Sequence, residues 1–191
     1  MTDVLELIIG DHQRIRRLLE ALDDAARYAA CDERGSPEWT LAAVWARIDT
    51  LLTLHADVEQ EICFLPIYRG RTDWLKDLGD ATAVLNDIQD AVAETRLQKA
   101  GSPTWWRAAD AVRRSTCAHI LATEDGPLAD FPARSSARLR QQLSRQWVAF
   151  AAARRRDTDP GEQELPAASP AWGMDLRSPG TLVEAPMRKP G

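Results

Sequence analysis

The sequence predicts an all-α protein: an up-down antiparallel four-helix bundle with an extra C-terminal helix over residues 1–155, followed by a disordered tail over residues 156–191. The first part is rich in alanine, leucine, arginine and glutamate, which favour helices, and no alternating run of β-branched residues competes. Its apolar residues recur every three or four positions, which is the period of one helical face. Residues 157–191 hold six of the eleven prolines and four of the ten glycines, so we expect this segment to bury too little apolar surface to fold.

The first two predicted helices cover residues 3–28 and 37–66. Asp3 is expected to cap the first helix, and Gly35 and Pro37 interrupt the chain between the two. Each helix has one apolar stripe, and each stripe includes a histidine. The stripe of helix one contains Leu5, Ile8, Ile9, His12, Ile15, Leu19 and Leu22, and that of helix two contains Leu41, Val44, Trp45, Ile48, Leu51, Leu52, His55, Val58, Glu59 and Ile62.

Three further helices are predicted: one over residues 73–99, one that follows the break at Gly101, Ser102 and Pro103 and stops at the Gly126-Pro127 pair, and one over residues 135–155. The fifth helix carries an apolar stripe suited to docking on the bundle. Because the connections are short, neighbouring helices are expected to run antiparallel. The inward residues are Leu75, Leu78, Leu85, Ile88 and Val92 in helix three, Trp105, Ala109, Val112, Thr116 and His119 in helix four, and Leu139, Leu143, Trp147 and Phe150 in helix five.

Composition narrows the classes of function. A net charge of −5 and a pI near 5.3 argue against a nucleic-acid binder, which would carry a strongly basic surface. No apolar run approaches the ~20 residues that cross a bilayer, and the acidic start of the chain is unlike a secretory signal. Three cysteines without a Cys-x-x-Cys pair fit a reducing compartment. We therefore expect a cytoplasmic protein with no membrane or nucleic-acid partner, and no protein partner is identified.

The three histidines of the chain, His12, His55 and His119, lie on the apolar stripes of three different helices. A buried imidazole needs a hydrogen-bond partner or a metal, because an unpaired buried polar group costs about 1–3 kcal/mol. Glu59 follows His55 by four residues and shares its stripe, and Glu124 follows His119 by five, within reach of the same point. These five side chains are the candidate metal ligands. A lone histidine on an apolar face is more often a core residue, so the prediction depends on all three together.

Imidazoles and carboxylates that converge inside a helical bundle form a mixed nitrogen and oxygen site. Such a donor set suits iron best, with manganese or zinc as alternatives, and it requires no thiolate. Metal sites of this kind are built from facing helices in bundle cores.

The order of the motifs, with one His in helix one, His-x-x-x-Glu in helix two and His-x-x-x-x-Glu in helix four, resembles the hemerythrin-like (HHE cation-binding) family of bacterial type. The stretches LELIIGDHQRIRRLLEAL, HADVEQEICFLPIY and HILATEDGPLADF carry this resemblance, which covers about residues 1–155. It implies a four-helix bundle with a non-haem di-iron centre. His12 and His55 resemble ligands of one iron and His119 a ligand of the other, while Glu59 and Glu124 resemble the bridging carboxylates.

The resemblance fails in helix three, where the family places a histidine and this chain has Leu85. Leucine has no lone pair to donate, so the resemblance implies an incomplete site that holds a single iron or a labile pair. The expected function is binding or sensing of dioxygen, nitric oxide or peroxide, or of iron itself. A weak iron-dependent peroxide or nitric-oxide activity is a second hypothesis. The third is a degenerate helical scaffold that binds no metal and acts as a protein-interaction module.

Overall fold

A computed structural model describes residues 2–31 and 37–158 of the protein, and within them it is all helical, with no strand, as the sequence predicts. The predicted disordered tail lies, from residue 159 onward, outside the described residues, and so does the predicted break at residues 32–36. The described helices are α1 (Val4–Cys31), α2 (Pro37–Val58), a π-helical turn (Glu59–Cys63), α3 (Phe64–Tyr68), α4 (Trp74–Arg96), α5 (Pro103–Asp125), α6 (Pro127–Arg134) and α7 (Ala137–Thr158).

Helix α1 begins where its capping residue predicts. The backbone N–H of Leu5 donates to Oδ1 of Asp3 at 3.1 Å, and the N–H of Asp3 donates to Oε2 of Glu6 at 3.2 Å. Both bonds satisfy backbone donors that have no partner at the start of a helix. The apolar stripe of α1 then turns inward, with Val4, Ile8, Ile15, Leu19 and Leu22 in the core.

The second predicted helix, residues 37–66, is interrupted by the π-helical turn at Glu59–Cys63 and continues as α3 to Tyr68. A π turn widens the helix by one residue and occurs most often at functional sites. Pro66 lies four residues after Ile62, lacks a backbone N–H and would crowd the Ile62 carbonyl in a regular α-helix. A widened turn immediately before Pro66 accommodates this crowding.

Helix α5 begins with a Ser102 cap, which accepts from the N–H of Trp105 at 3.2 Å, and with Pro103 in its first turn. The predicted fourth helix ends at Gly126-Pro127, and no helix is predicted directly after it, so α6 is missed. Pro127 is the first residue of this short helix, which buries Leu128 and Phe131. Two smaller corrections concern apolar stripes: Leu75 in α4 is 67% exposed and Ile9 in α1 is 38% exposed, whereas both were predicted to face inward.

The helices enclose one continuous apolar core. Helix α1 packs on α2, α2 on α4, α4 on α5 and α5 on α1, and α7 packs on α1 and α2. In this core the rings of Trp45 and Trp105 meet edge to face with centroids 5.2 Å apart. None of the helices in residues 2–31 and 37–158 is both long enough and apolar enough to cross a bilayer.

Candidate metal centre

Four of the five predicted ligands meet inside the helical core. His12 comes from α1, His55 from α2, Glu59 from the first position of the π turn and His119 from α5. One donor atom from each lies within 4.8 Å of the other three, and all four side chains are buried. We call these four residues the His₃Glu cluster. It is the only group of three or more potential metal ligands of this kind in the described part of the chain.

The carboxylate of Glu59 lies at the centre of the His₃Glu cluster. Its Oε2 is 3.0 Å from Nε2 of His119 and 3.6 Å from Nε2 of His55, while its Oε1 is 3.8 Å from Nε2 of His12. The imidazole rings are mutually edge-on, with centroids 5.0 to 6.1 Å apart. All three Nε2 atoms therefore point towards one carboxylate.

Local sequence explains this convergence. His55 and Glu59 are four residues apart, which places them one above the other on one face of a helix. The π turn begins at Glu59, so the helix widens at the residue that joins the three histidines. Helix α7 covers this side of the cluster, since the Trp147 ring lies edge-on to His55 with centroids 6.1 Å apart.

The electrostatics of the cluster favour neutral imidazoles at His12 and His55 and an ionised carboxylate at Glu59. Burial lowers the pKa of His12 and lowers that of His55 to about 4, although the nearby Glu59 opposes both shifts. Burial alone would raise the pKa of Glu59, but His55, His119 and His12 outweigh it and hold that pKa at about 2. Neutral imidazole and ionised carboxylate are the protonation states that bind metals.

A metal ion fits these residues because the cluster leaves buried nitrogen atoms without partners. Nε2 of His12 and both ring nitrogens of His55 are buried and have no hydrogen-bond partner. A buried polar atom without a partner is costly, and three within one cluster are unusual for a core that is only structural. A cation among the Nε2 atoms and the Glu59 carboxylate would satisfy the unpartnered Nε2 atoms and neutralise the buried charge.

The fifth predicted ligand, Glu124, lies elsewhere. Its Oε1 is 2.9 Å from Nδ1 of His12, the ring nitrogen that does not face Glu59. Arg16 holds the same carboxylate through two hydrogen bonds, of 3.0 Å to Oε1 and 2.8 Å to Oε2. The structure thus brings Glu124 to His12 and places it outside the His₃Glu cluster, one imidazole away, although the sequence predicts it as a ligand.

The other two histidines also have polar neighbours on their outer nitrogens. Oδ2 of Asp11 is 4.0 Å from Nδ1 of His55, and Oγ1 of Thr123 is 3.5 Å from Nδ1 of His119. Asp11 is 6% exposed and forms an ion pair with Arg14. Its position next to His12 in the sequence is the signal that points to it.

Helix α4 contributes no side chain to the cluster within the described residues. Leu85, at the position where the resemblance would place a histidine, is buried in the apolar core. The polar residues beside it, Asn86 and Asp87, are exposed, and Asn86 accepts a hydrogen bond from the Gln60 amide at 3.1 Å.

Cysteine chemistry does not reach the cluster. Cys63 ends the π turn and is buried, and burial together with the nearby Glu59 raises the pKa of its thiol well above the usual value. A protonated thiol is neither a good ligand nor a nucleophile. Cys117 is exposed on α5.

The chain matches no protein-family model, no curated protein and no solved structure. The chemistry of the site therefore follows from its own residues: three imidazoles and one carboxylate, buried together, with two ring nitrogens that face the carboxylate and lack any hydrogen-bond partner.

Proposed function

We propose that this protein is a cytoplasmic, hemerythrin-like non-haem iron protein whose incomplete site binds or senses dioxygen, nitric oxide or peroxide. The observation that carries the proposal is the His₃Glu cluster, in which buried donor atoms lie within 4.8 Å of one another and two Nε2 atoms have no hydrogen-bond partner. The same cluster is compatible with storage or sensing of iron itself.

The donor set supports iron, with manganese or zinc as the alternatives. Three nitrogens and one carboxylate form a mixed set of intermediate softness, and the cluster includes no thiolate. Iron held in this way supplies redox chemistry towards small oxygen- and nitrogen-containing ligands. The protein's own contribution is to hold the imidazoles of His12 and His55 neutral, to balance the ionic charge with Glu59 and to exclude bulk water.

The positions of the carboxylates support one ion rather than a stable pair. A second ion would need ligands beyond the single central carboxylate, and Glu124 is engaged by His12 and by both arms of the Arg16 guanidinium. Leu85 supplies no donor from α4. We therefore propose a mononuclear site, or a labile second ion that binds weakly.

The helix contacts support the up-down four-helix bundle. Helices α1, α2, α4 and α5 form a closed ring of neighbours, in which each packs on the next and the last packs on the first. The cluster draws its ligands from three of the four, and α7 lies against α1 and α2. This arrangement is typical of bundles that hold a metal in the core.

The experiment that tests the proposal is metal analysis per chain, with an absorption spectrum, on protein purified from iron-supplemented cells. We expect about one iron per chain in the wild type, a loss of most of it in His55→Ala and Glu59→Gln, and retention in Glu61→Gln. Glu61 is the matched control because it lies in the same π turn but is exposed. An absence of bound iron, with no difference among the variants, would contradict the proposal.

Two other hypotheses predict different outcomes of related measurements. Peroxide or nitric-oxide consumption at the metal requires that turnover stop when the metal is removed. A scaffold that binds no metal predicts that apolar replacements of His12, His55 and Glu59 leave function intact and raise stability, because they remove buried polar groups. Zinc or manganese in place of iron would retain the site and change its chemistry.

A further inference from the structure

A cleft of about 380 Å³ lies between α4 and α5, and one end of it reaches the His₃Glu cluster. Its walls are short side chains: Ala81 and Val84 from α4, and Ala118 and Ala122 from α5. On each helix the two residues are about one turn apart, so they share a face. Helices that meet through such short side chains leave a gap that longer side chains would fill.

The floor and the rim of the cleft differ in burial. Tyr68, His119 and Thr123 line the floor and are buried, and His119 belongs to the His₃Glu cluster. Asp80 and Ala118 line the cleft and are exposed. The cleft therefore extends from solvent to the imidazole of a cluster residue.

The floor of the cleft carries two hydroxyl groups, those of Tyr68 and Thr123. Burial, reinforced by the charge of Glu59, raises the pKa of Tyr68 to about 12, so its hydroxyl stays protonated. Thr123 Oγ1 donates to the carbonyl oxygen of His119 at 2.8 Å. A small molecule at the floor would thus meet two hydroxyl groups.

The charged residues of the cleft are paired with other protein groups. Arg71 forms ion pairs with Asp130 and, at 3.6 Å, with Asp77, and Nζ of Lys76 is 2.6 Å from Oδ2 of Asp80. Paired charges attract ions weakly, which favours an uncharged ligand over an anion or a cation. The volume would hold about a dozen water molecules at ~30 Å³ each, so the cleft is a passage rather than a close fit for a two-atom molecule.

We propose that this cleft is the route by which a small uncharged molecule reaches the His₃Glu cluster, arriving on its His119 side. The inference rests on the proposed function for the identity of the molecule, which is of the dioxygen, nitric oxide or hydrogen peroxide class. It rests on the geometry alone for the route itself. Bulk placed on either wall will close the passage.

The first test uses the metal-free protein and therefore does not depend on iron binding. Diethyl pyrocarbonate modifies neutral imidazoles, and peptide mapping by mass spectrometry gives a separate rate for each of the three histidines. We expect His119 to react before His12 and His55. The substitution Ala81→Phe should slow modification of His119 about tenfold, whereas Ala83→Phe should leave the rate unchanged. Ala83 is the matched control because it lies two residues away on α4, is exposed and does not line the cleft.

A second wall variant guards against a folding defect in the first. Ala81 is half-buried, so Ala122→Phe, at an exposed position on the opposite wall, is measured in parallel, with circular dichroism to verify folding. A slower reaction of His119 in either folded variant supports the route. Wild-type rates at His119 in every folded wall variant would overturn it.

The second test uses iron-loaded protein and stopped-flow absorbance with nitric oxide. Both wall variants should bind nitric oxide about tenfold more slowly than wild type and Ala83→Phe, at equal iron content. If the chain takes up no iron, the proposed function fails while the modification rates still decide the route. If iron binds and nitric oxide binds all variants at one rate, the route fails and the proposed function stands.

Discussion

Nδ1 of His12 lies 2.9 Å from Oε1 of Glu124, while Nε2 of the same ring faces Glu59. Arg16 donates two further hydrogen bonds to the Glu124 carboxylate and lowers its pKa, so the carboxylate stays ionised. An ionised carboxylate can only accept, so Nδ1 of His12 carries the hydrogen and donates this bond. A proton on Nδ1 leaves the lone pair on Nε2, directed into the cluster. Glu124 thus selects the tautomer of His12 that binds a metal.

The first prediction concerns this pair. Glu124→Gln should weaken metal affinity about 10–100-fold, because the amide no longer enforces the Nδ1–H tautomer, while Glu59→Gln should weaken it far more. Competition against a coloured chelator measures both affinities. Equal losses in the two variants would indicate that Glu124 binds the metal directly, as the family resemblance implies.

The second prediction concerns the metal-free protein. The surrounding histidines hold the pKa of Glu59 at about 2, so the ionised carboxylate stabilises the folded metal-free protein, and Glu59→Gln should lower the free energy of unfolding by about 1–2 kcal/mol in the presence of chelator. Urea unfolding measures the change. Glu61→Gln, at an exposed position in the same turn, should stay within about 0.5 kcal/mol of wild type. A stabilised Glu59→Gln would mean that the cost of the buried charge outweighs its interactions with the three histidines.

The third prediction follows from the pKa of His55, which burial lowers from 6.5 to about 4. The unfolded chain takes up this proton first as the pH falls, so the metal-free protein should lose stability between about pH 6.5 and pH 4. The loss from His55 alone is on the order of 3 kcal/mol, and His12 shifts in the same direction. Unfolding curves across this range should show a shallower pH dependence in His55→Phe. An equally steep dependence in that variant would assign the effect to other groups.

The fourth prediction tests the core away from the site. The indole N–H of Trp45 donates to Oγ1 of Thr95 at 2.8 Å, and both residues are buried. Thr95→Val should cost about 1–3 kcal/mol in unfolding free energy, since the indole N–H is left without an acceptor. Thr50→Val removes a similar hydroxyl at an exposed position of α2 and should cost much less. Equal costs for the two would show that the indole finds another partner.

The fifth prediction separates two cysteines by their surroundings. Iodoacetamide should alkylate exposed Cys117 in the folded protein, whereas buried Cys63, whose thiol pKa is raised by burial, should react only after unfolding. Peptide mapping by mass spectrometry assigns each site. Rapid alkylation of Cys63 under native conditions would show that the π turn opens readily.

The sequence was sufficient to predict most helices and the cluster, because both depend on periodicity. His12, His55 and His119 lie on apolar stripes, and stripes face the core. The His55–Glu59 spacing of four predicts their shared face. These are local rules that need no knowledge of how helices meet.

Features that depend on tertiary contacts were not predictable in the same way. The spacing of His119 and Glu124 brings the carboxylate near the site, but only the packing of α1 against α5 decides that it reaches Nδ1 of His12. Arg16 follows His12 by four residues, which is a signal that could have identified the pair. The short helix α6 was not predicted because Gly126-Pro127 was read only as the end of α5, whereas Pro127 is also the first residue of α6.

The π turn at Glu59–Cys63 also changes the rotational phase of the helix that it interrupts. One extra residue advances everything beyond it by about 100° around the helix axis. The face that presents His55 and Glu59 to the cluster is therefore a different face, by sequence register, from the one that buries Phe64, Ile67 and Tyr68. The interrupted helix therefore presents two different faces to the rest of the protein. One carries His55 and Glu59 into the His₃Glu cluster, and the other places Tyr68 at the floor of the cleft. Removing one residue from this turn would rotate α3 by about 100° about the helix axis relative to α2. The two faces could then no longer both contact the residues that they pack against.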